Sequence, residues 1–238
     1  MMIKTWCAFL TILLMTGQNL RGQEALHKAD SLFAIGQYMA AQELYTSQLS
    51  ASRHFLPNAL LKMAYIAELN GDFTQSLYYL TVLSKQAPSE AVYRKMEAIA
   101  LKNRLSGYKF DDLGYLVLYL KKYGLWLSLF MIAVTGYVLF ELFIKYKKNE
   151  HITFVPKAIV VLSLLGLIVL LNIESLYNEG IVSNNPTFLR ERPSSASAVT
   201  GTVGKGNKVV VLTSRDHWKL VLLKGKLVYI KRDDLLLI

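Results

Sequence analysis

The chain contains LWLSLFMIAVTGYVLFELFI at Leu125–Ile144, an apolar run in which the charged residue is Glu141. A helix of this length can cross a hydrocarbon core about 30 Å thick. A second run, FVPKAIVVLSLLGLIVLLNI, follows at Phe154–Ile173. The alternative is a pair of buried core helices, but both runs lack the polar stripe that a long globular helix keeps. The sequence therefore predicts two transmembrane helices, at 124–144 and 154–173.

Lysines around the loop at 145–153 set the predicted orientation. Lys145, Lys147 and Lys148 lie between the two runs, and Lys157 follows close behind, whereas the residues after the second run carry Glu174 and Glu179. Short basic loops stay in the cytoplasm. Lys121 and Lys122 oppose this assignment, but the predicted export of the N-terminal region agrees with it. Both globular regions are thus expected outside the inner membrane of a bacterium, in the periplasm.

The N-terminal segment 1–22 has the pattern of a secretory signal. Lys4 precedes the short apolar stretch WCAFLTILLMT, and a candidate cleavage point lies near Gly22. An uncleaved segment with Lys4 inside would export the following residues equally well. The single cysteine of the 238 residues, Cys7, falls within this segment. The mature chain is therefore expected to have no disulfides and no thiolate chemistry.

The region 23–107 contains an internal repeat. GQYMAAQELY begins at Gly36 and GDFTQSLYYL begins at Gly71, and each copy follows a helical stretch. A period of thirty-five residues is typical of stacked helical hairpins. Small residues recur at Ala29, Ala41 and Ala64. This pattern resembles the tetratricopeptide repeat, although Ser76 replaces an expected alanine and no tryptophan opens the first helices. The alternative is an unrelated bundle of helical hairpins.

The repeat resemblance implies a binding surface. The first helices of such a stack, with a capping helix at Ser89–Leu105, would form a concave face for an extended peptide or a partner helix. The alternative is that the polar residues on this face are merely solvated. The repeat register assigns seven candidate binding residues to it, namely His27, Asp30, Asn58, Lys62, Tyr65, Lys95 and Lys102.

Tyrosines repeat at every fourth position in the segment 108–123, at Tyr115, Tyr119 and Tyr123. They share one helical face, and with Trp126 they suit a membrane–water boundary. A helix that packs on the repeats would show the same spacing. We predict an interfacial amphipathic helix, because the segment leads directly into the first span.

After the second span the pattern changes from helix to strand. KVVVLT at Lys208–Thr213, WKLVLL at Trp218–Leu223 and KLVYI at Lys226–Ile230 are β-rich, and Lys224 and Gly225 form a tight hairpin between the last two. With Leu189, Arg190, Pro193, Ser194, Val203, Gly204, Gly206 and Val209, they resemble the bacterial SH3-like module. The resemblance implies a small β-barrel at 174–238.

Trp218 is the candidate binding residue of that module. Its ring could fill the core or line a shallow groove, where a flat aromatic surface supplies apolar area at little entropic cost. His217 lies directly before it, and Tyr229 lies on the paired strand. These three residues are the candidates for contact with a peptide or with peptidoglycan.

Motifs for chemistry are not found. GTVGKG at Gly201–Gly206 is followed by Asn207 and Lys208 rather than by the lysine and hydroxyl residue of a phosphate loop, so it is interpreted as a turn. The four histidines lie in four regions without metal-ligand spacing. Positive charge, +10 in total, is spread along the chain and forms no nucleic-acid stripe. We expect no enzymatic activity, no bound metal or cofactor and no nucleic-acid partner.

The predicted fold class is a multidomain membrane protein with helical hairpins of the tetratricopeptide type, two spans and an SH3-like barrel. This order resembles the BatE family of the Bacteroides aerotolerance operon. The resemblance implies a non-enzymatic scaffold beside membrane proteins with von Willebrand A domains, linked to envelope or oxidative stress. The alternatives are a membrane protein that binds peptidoglycan or its peptides and, least favoured, a transporter or enzyme, for which two spans offer no pathway or catalytic set.

Overall fold

A computed structural model describes residues 23–51, 56–110, 112–151, 153–172, 178–223 and 225–238. These residues fall into two compact units, one up to Gln86 and one from Ala87 onward. The predicted signal segment 1–22 lies outside the described residues.

The first unit consists of two helical hairpins. Its helices are α1 (residues 23–34), α2 (Tyr38–Ala51), α3 (Pro57–Leu69) and α4 (Phe73–Gln86). Gly36 and Gly71 have left-handed backbones, with φ of +78° and +73°, at the turns between paired helices. Asp72 accepts a hydrogen bond from the N–H of Gln75 and so caps the start of α4. The repeated glycines therefore mark the turns that the sequence predicts.

Small residues at repeated positions allow these helices to approach closely. Ala29, Ala41 and Ala64 are all buried, and Ala29 and Ala41 belong to one core cluster with Tyr45, Met63 and Ile66. Ser76 is also fully buried, at the position where the repeat pattern expects alanine. Small residues recur at these positions because the helices pack closely on each other there.

The second unit begins with α5 (Glu90–Lys102), the helix predicted to cap the repeats. Here α5 packs with the residues that follow it: Phe110 stacks on Tyr93 with ring centroids 5.1 Å apart. Arg94 donates a 2.6 Å hydrogen bond to the hydroxyl of Tyr115 and pairs with Glu90 at 2.7 Å. The aromatic side chains after α5 therefore assign this helix to the unit that contains the apolar helices.

Two helices, α6 (Asp112–Lys147) and α7 (Phe154–Asn172), are long and apolar enough to cross a membrane. Their most apolar windows are only 17% and 11% buried, unlike those of core helices. Of the predicted interfacial helix at 108–123, residues 112–123 form the beginning of α6, which continues without a break into the first predicted span, whereas residues 108–110 are not helical.

Helices α6 and α7 pack on each other in antiparallel directions. The Thr135 hydroxyl lies 2.8 Å from Ser163 Oγ, and Met131 contacts Gly166, where the absence of a side chain leaves room for it. Small and hydroxyl residues are the usual contacts between helices in a membrane. Tyr115 bonds to α5, whereas Tyr119 and Tyr123 remain exposed and stack on each other.

The C-terminal part is a seven-stranded antiparallel sheet. Its strands are β1 (Asn178–Val182), β2 (Thr187–Arg190), β3 (Val199–Val203), β4 (Lys208–Arg215), β5 (Trp218–Leu223), β6 (Lys226–Lys231) and β7 (Leu235–Leu237). Their order is β3-β2-β6-β5-β4-β1-β7. The three strands predicted within 208–230 are confirmed as β4, β5 and β6.

The sheet is open, so the prediction of a closed small barrel is wrong. Strands β3 and β7 are its two edges and do not pair with each other. Strand β7 has three residues, and they pair with β1. The sheet still encloses an apolar core on one face, formed by Val182, Val203, Val209, Val211, Val221, Leu223, Val228, Ile230 and Leu235.

Candidate functional site

The first candidate site is a polar and aromatic cluster in the first unit. Lys62 Nζ lies 2.7 Å from Asp30 Oδ1, and the buried hydroxyl of Tyr45 donates a 2.6 Å hydrogen bond to the same oxygen. Burial raises the pKa of Asp30, but the hydrogen bonds with Lys62 and Tyr45 and the positive charge of Lys62 outweigh it, so the pKa lies below its ordinary value. Burial and the neighbouring carboxylate raise the pKa of Tyr45 well above its usual range. The Tyr45 side chain is therefore a neutral phenol, and its hydroxyl donates to the carboxylate of the ion pair.

Three aromatic rings border the ion pair. Phe33, Tyr38 and Tyr65 contact one another edge to face, with centroids 5.4–6.1 Å apart. Lys62 Nζ lies 5.4 Å from the centroid of Phe33. Tyr65 is 46% exposed. The cluster thus offers an aromatic surface beside a lysine that is already paired, which suits contact with a peptide more than capture of a free carboxylate.

Three of the predicted concave-face residues, Asp30, Lys62 and Tyr65, belong to this cluster. His27 and Asn58 are exposed on α1 and α3. Lys95 and Lys102 lie on α5 in the second unit. Tyr45, which organises the ion pair, was missed, because its spacing is that of an ordinary core residue.

The second candidate site is a contact that we call the clasp, formed by Ser106–Tyr108 against Gly204–Lys208. Both the N–H and the hydroxyl of Ser106 donate to Asn207 Oδ1, at 2.9 and 2.7 Å. The buried Tyr108 hydroxyl donates to the Gly206 carbonyl at 2.9 Å, and the Lys208 N–H donates to the Ser106 carbonyl at 3.1 Å. Four hydrogen bonds therefore connect the segment before α6 to the sheet.

An ion pair extends the clasp. Lys208 Nζ lies 2.9 Å from Glu179 Oε1 and 5.4 Å from the centroid of the Tyr108 ring. Burial and the charge of Glu179 raise the pKa of Tyr108 far above its usual range, so its hydroxyl remains a donor. The predicted turn at Gly201–Gly206 is confirmed only in its second half: residues 201–203 belong to β3, and the turn follows at Lys205 and Gly206, where the Gly206 N–H donates to the Val182 carbonyl. Its backbone groups hold the clasp together rather than a phosphate.

The third candidate site surrounds Trp218, which is 8% exposed at the start of β5. Arg190 and Lys231 flank its ring, with Cζ at 5.9 Å and Nζ at 6.0 Å from the centroid. Tyr229 pairs with Leu220 rather than with Trp218, so the two rings are diagonal neighbours on one face of the sheet. His217 is exposed in the preceding turn. The ring is thus largely covered, and cations rather than a second aromatic ring adjoin it.

A metal centre is not indicated in the part of the chain that the structure describes, where no three histidine, cysteine, aspartate or glutamate side chains are grouped to hold an ion. Searches with the sequence found no protein-family model that matches it and no curated protein with significant similarity. The molecule is therefore classified by its own structure: two helical hairpins, a pair of apolar helices long enough for a membrane, and an open antiparallel sheet.

Proposed function

We propose that this protein is a non-enzymatic membrane-anchored scaffold whose helical hairpins and sheet are displayed on the same side of a bacterial inner membrane. The observation that carries the proposal is the clasp. Its first half precedes α6 and its second half follows α7. This contact supports a hairpin of two antiparallel spans that returns the chain to the side from which it entered.

The exposed apolar surfaces of α6 and α7 support the membrane assignment. Phe130, Phe140 and Leu165 are each more than half exposed. Exposure of so much apolar area to water would be unfavourable for a long helix pair. Thr135 and Ser163 satisfy their hydroxyls at the helix–helix contact, as groups in a bilayer require.

The basic loop supports an orientation with the clasp outside the cytoplasm. Lys145 and Lys147 end α6, and Lys148 follows at once. Reporter fusions at Gln86 and Ser214 should show export, and a fusion at Asn149 should report the cytoplasm. Export of the Asn149 fusion would refute this orientation, and opposite locations for Gln86 and Ser214 would refute the hairpin itself.

The partners in this proposal are membrane proteins with von Willebrand A domains, as the resemblance to the BatE family implies, in a complex linked to envelope or oxidative stress. The aromatic cluster beside Lys62 and Asp30 supports a role of the first unit in protein contact. Affinity capture after mild detergent extraction should recover such partners. Recovery of peptidoglycan fragments alone would favour the alternative, a wall-binding membrane protein.

Binding of wall peptides in a groove at Trp218 receives less support. The ring is nearly buried, and Arg190, one of its cationic neighbours, donates a 2.6 Å hydrogen bond to the Ser197 carbonyl. A covered ring of this kind packs against the sheet and leaves little of its surface for contact with a ligand.

A further inference from the structure

The sheet has an apolar surface on the face opposite its core, which we call the outer face. Strand register places its side chains together, because residues directly opposite in paired strands point to the same side. Leu220 lies opposite Tyr229, Leu222 opposite Leu227, and Arg190 opposite Tyr229. The same face also includes Phe188, Val199, Arg215, Trp218 and Lys231, together with the polar Thr202 and Thr213.

Much of this apolar area is open to solvent. Leu227 is 60% exposed, and Phe188, Val199 and Leu222 are 39–51% exposed. An apolar surface of this kind on a folded domain usually contacts a partner or a membrane. It is distinct from the clasp, which covers the same sheet near Lys208 and Glu179.

The charges on the outer face have one sign. Arg190, Arg215 and Lys231 contribute three cations, while the carboxylate on this side of the described strands, Glu179, is already paired with Lys208. Glu191 and Asp216 lie beyond the ends of the strands. Long basic side chains beside leucines and aromatic rings match the boundary between phospholipid headgroups and acyl chains.

The chain also keeps the sheet close to the predicted bilayer. Strand β1 begins at Asn178, six residues after the end of α7 at Asn172, and that distance is at most about 20 Å of extended chain. The clasp joins the sheet to Ser106–Tyr108, a few residues before α6. Two attachments therefore hold the outer face at high effective concentration beside the membrane.

We infer that the outer face is a peripheral membrane-contact surface that inserts leucine and aromatic side chains among anionic phospholipid headgroups. This inference rests on the proposed membrane anchoring by α6 and α7. The contact would hold the sheet against the bilayer and limit the directions in which it can present its edges to partners.

Depth-dependent quenching on the full-length chain tests this contact. In a Cys7→Ser background, a single cysteine is introduced as Leu227→Cys on the outer face, Ser195→Cys in an exposed loop, or Val161→Cys on α7. Each carries an environment-sensitive fluorophore, and the protein is reconstituted in phosphatidylcholine vesicles with and without phosphatidylglycerol. Lipids spin-labelled at the headgroup or along the acyl chain supply the quencher.

We expect acyl-chain quenching at position 161 in both lipids, headgroup quenching at position 227 in the anionic vesicles, and little at position 195. Removing a cation by Arg215→Gln or Lys231→Gln should lower the bound-to-free ratio about fivefold each. Lys226→Gln is the matched control, because it removes the same charge from the opposite face.

The possible failures are distinguishable. Quenching at 161 without quenching at 227 would overturn the membrane contact while leaving the membrane anchor intact. A blue-shifted but unquenched label at 227 would show that protein, such as a second copy or a bound peptide, covers the face, and would also overturn it. Absence of quenching at 161 would overturn the anchor and this inference together.

Discussion

Replacing Gly107 by alanine should open the clasp. Gly107 has φ of +93°, and a Cβ placed on it would overlap the carbonyl oxygen of Lys208 and lie 3.0 Å from its carbonyl carbon. A left-handed backbone costs an L-residue about 1–2 kcal/mol. Displacement of a packed neighbour adds roughly 1–3 kcal/mol. The neighbour is backbone, so it cannot turn aside as a flexible side chain could.

This cost is comparable with the free energy that holds the clasp closed. Its four hydrogen bonds contribute about 0.5–1.5 kcal/mol each. A loss of about 2 kcal/mol shifts a closed-to-open ratio by roughly thirtyfold. The substitution should therefore destabilise the closed clasp enough to populate the open form. It should not unfold the sheet, because the core residues of the sheet lie on its other face.

Amide hydrogen exchange on the full-length protein in detergent measures this opening. The N–H groups of Ser106 and Lys208 donate across the clasp, so they should exchange slowly in the wild type and at least tenfold faster in Gly107→Ala. Amides of β5 and β6 should keep their protection.

Two other glycine variants are controls that separate the effect of atomic overlap at Gly107 from the general effects of replacing a glycine by alanine. Gly225→Ala introduces the same kind of backbone strain at φ +77° where a Cβ meets nothing, and Gly136→Ala adds a methyl group in open space on α6. Neither should change exchange at Ser106. Equal exchange in Gly107→Ala and wild type would refute the reasoning, since it would mean that the clasp does not protect these amides.

Three further changes test other contacts. Trp218→Ala should destabilise the sheet by about 3–5 kcal/mol in thermal or denaturant unfolding, because it empties a nearly buried position; an unchanged melting curve would show that the ring packs nothing essential. Thr135→Val and Ser163→Ala should each loosen the helix pair, with a coupling near 0.6 kcal/mol in a double-mutant cycle in detergent; additive effects would argue against a shared hydrogen bond. The pKa of Asp30 lies below its ordinary 3.8, so its stabilisation is complete above that value and is lost as the pH falls through the lowered one; Asp30→Asn should remove this acid-side loss, and a stability–pH curve identical to the wild type would contradict it.

Local sequence patterns predicted much of the architecture. Long apolar runs predicted α6 and α7, since length and composition alone decide whether a helix can span a bilayer. Glycines at Gly36 and Gly71 predicted the turns of the helical hairpins, because the left-handed backbone there favours glycine. The β-rich runs within 208–230 predicted β4, β5 and β6.

Candidate sites were harder to predict than elements. The repeat register assigned Lys62 and Asp30 to the concave face, but it did not predict that they pair with each other or that the hydroxyl of Tyr45 donates to the same carboxylate. Lys95 was assigned to the repeats, but its helix packs with the following aromatic segment. Pairing depends on which helices become neighbours, and no single helix pattern contains that information.

The sequence by itself determined the helical hairpins, the strands within 208–230 and the runs that could enter a membrane, because these properties depend on neighbours within a few residues. Only the tertiary structure decided that the sheet stays open, that Arg190 and Lys231 flank Trp218, and that Tyr108 closes on Gly206, 98 positions away in the chain. The physical reason is that a contact across such a distance follows from the packing of every element between its ends, whereas a serine, a glycine or a tyrosine carries no local signal of the partner that it will meet.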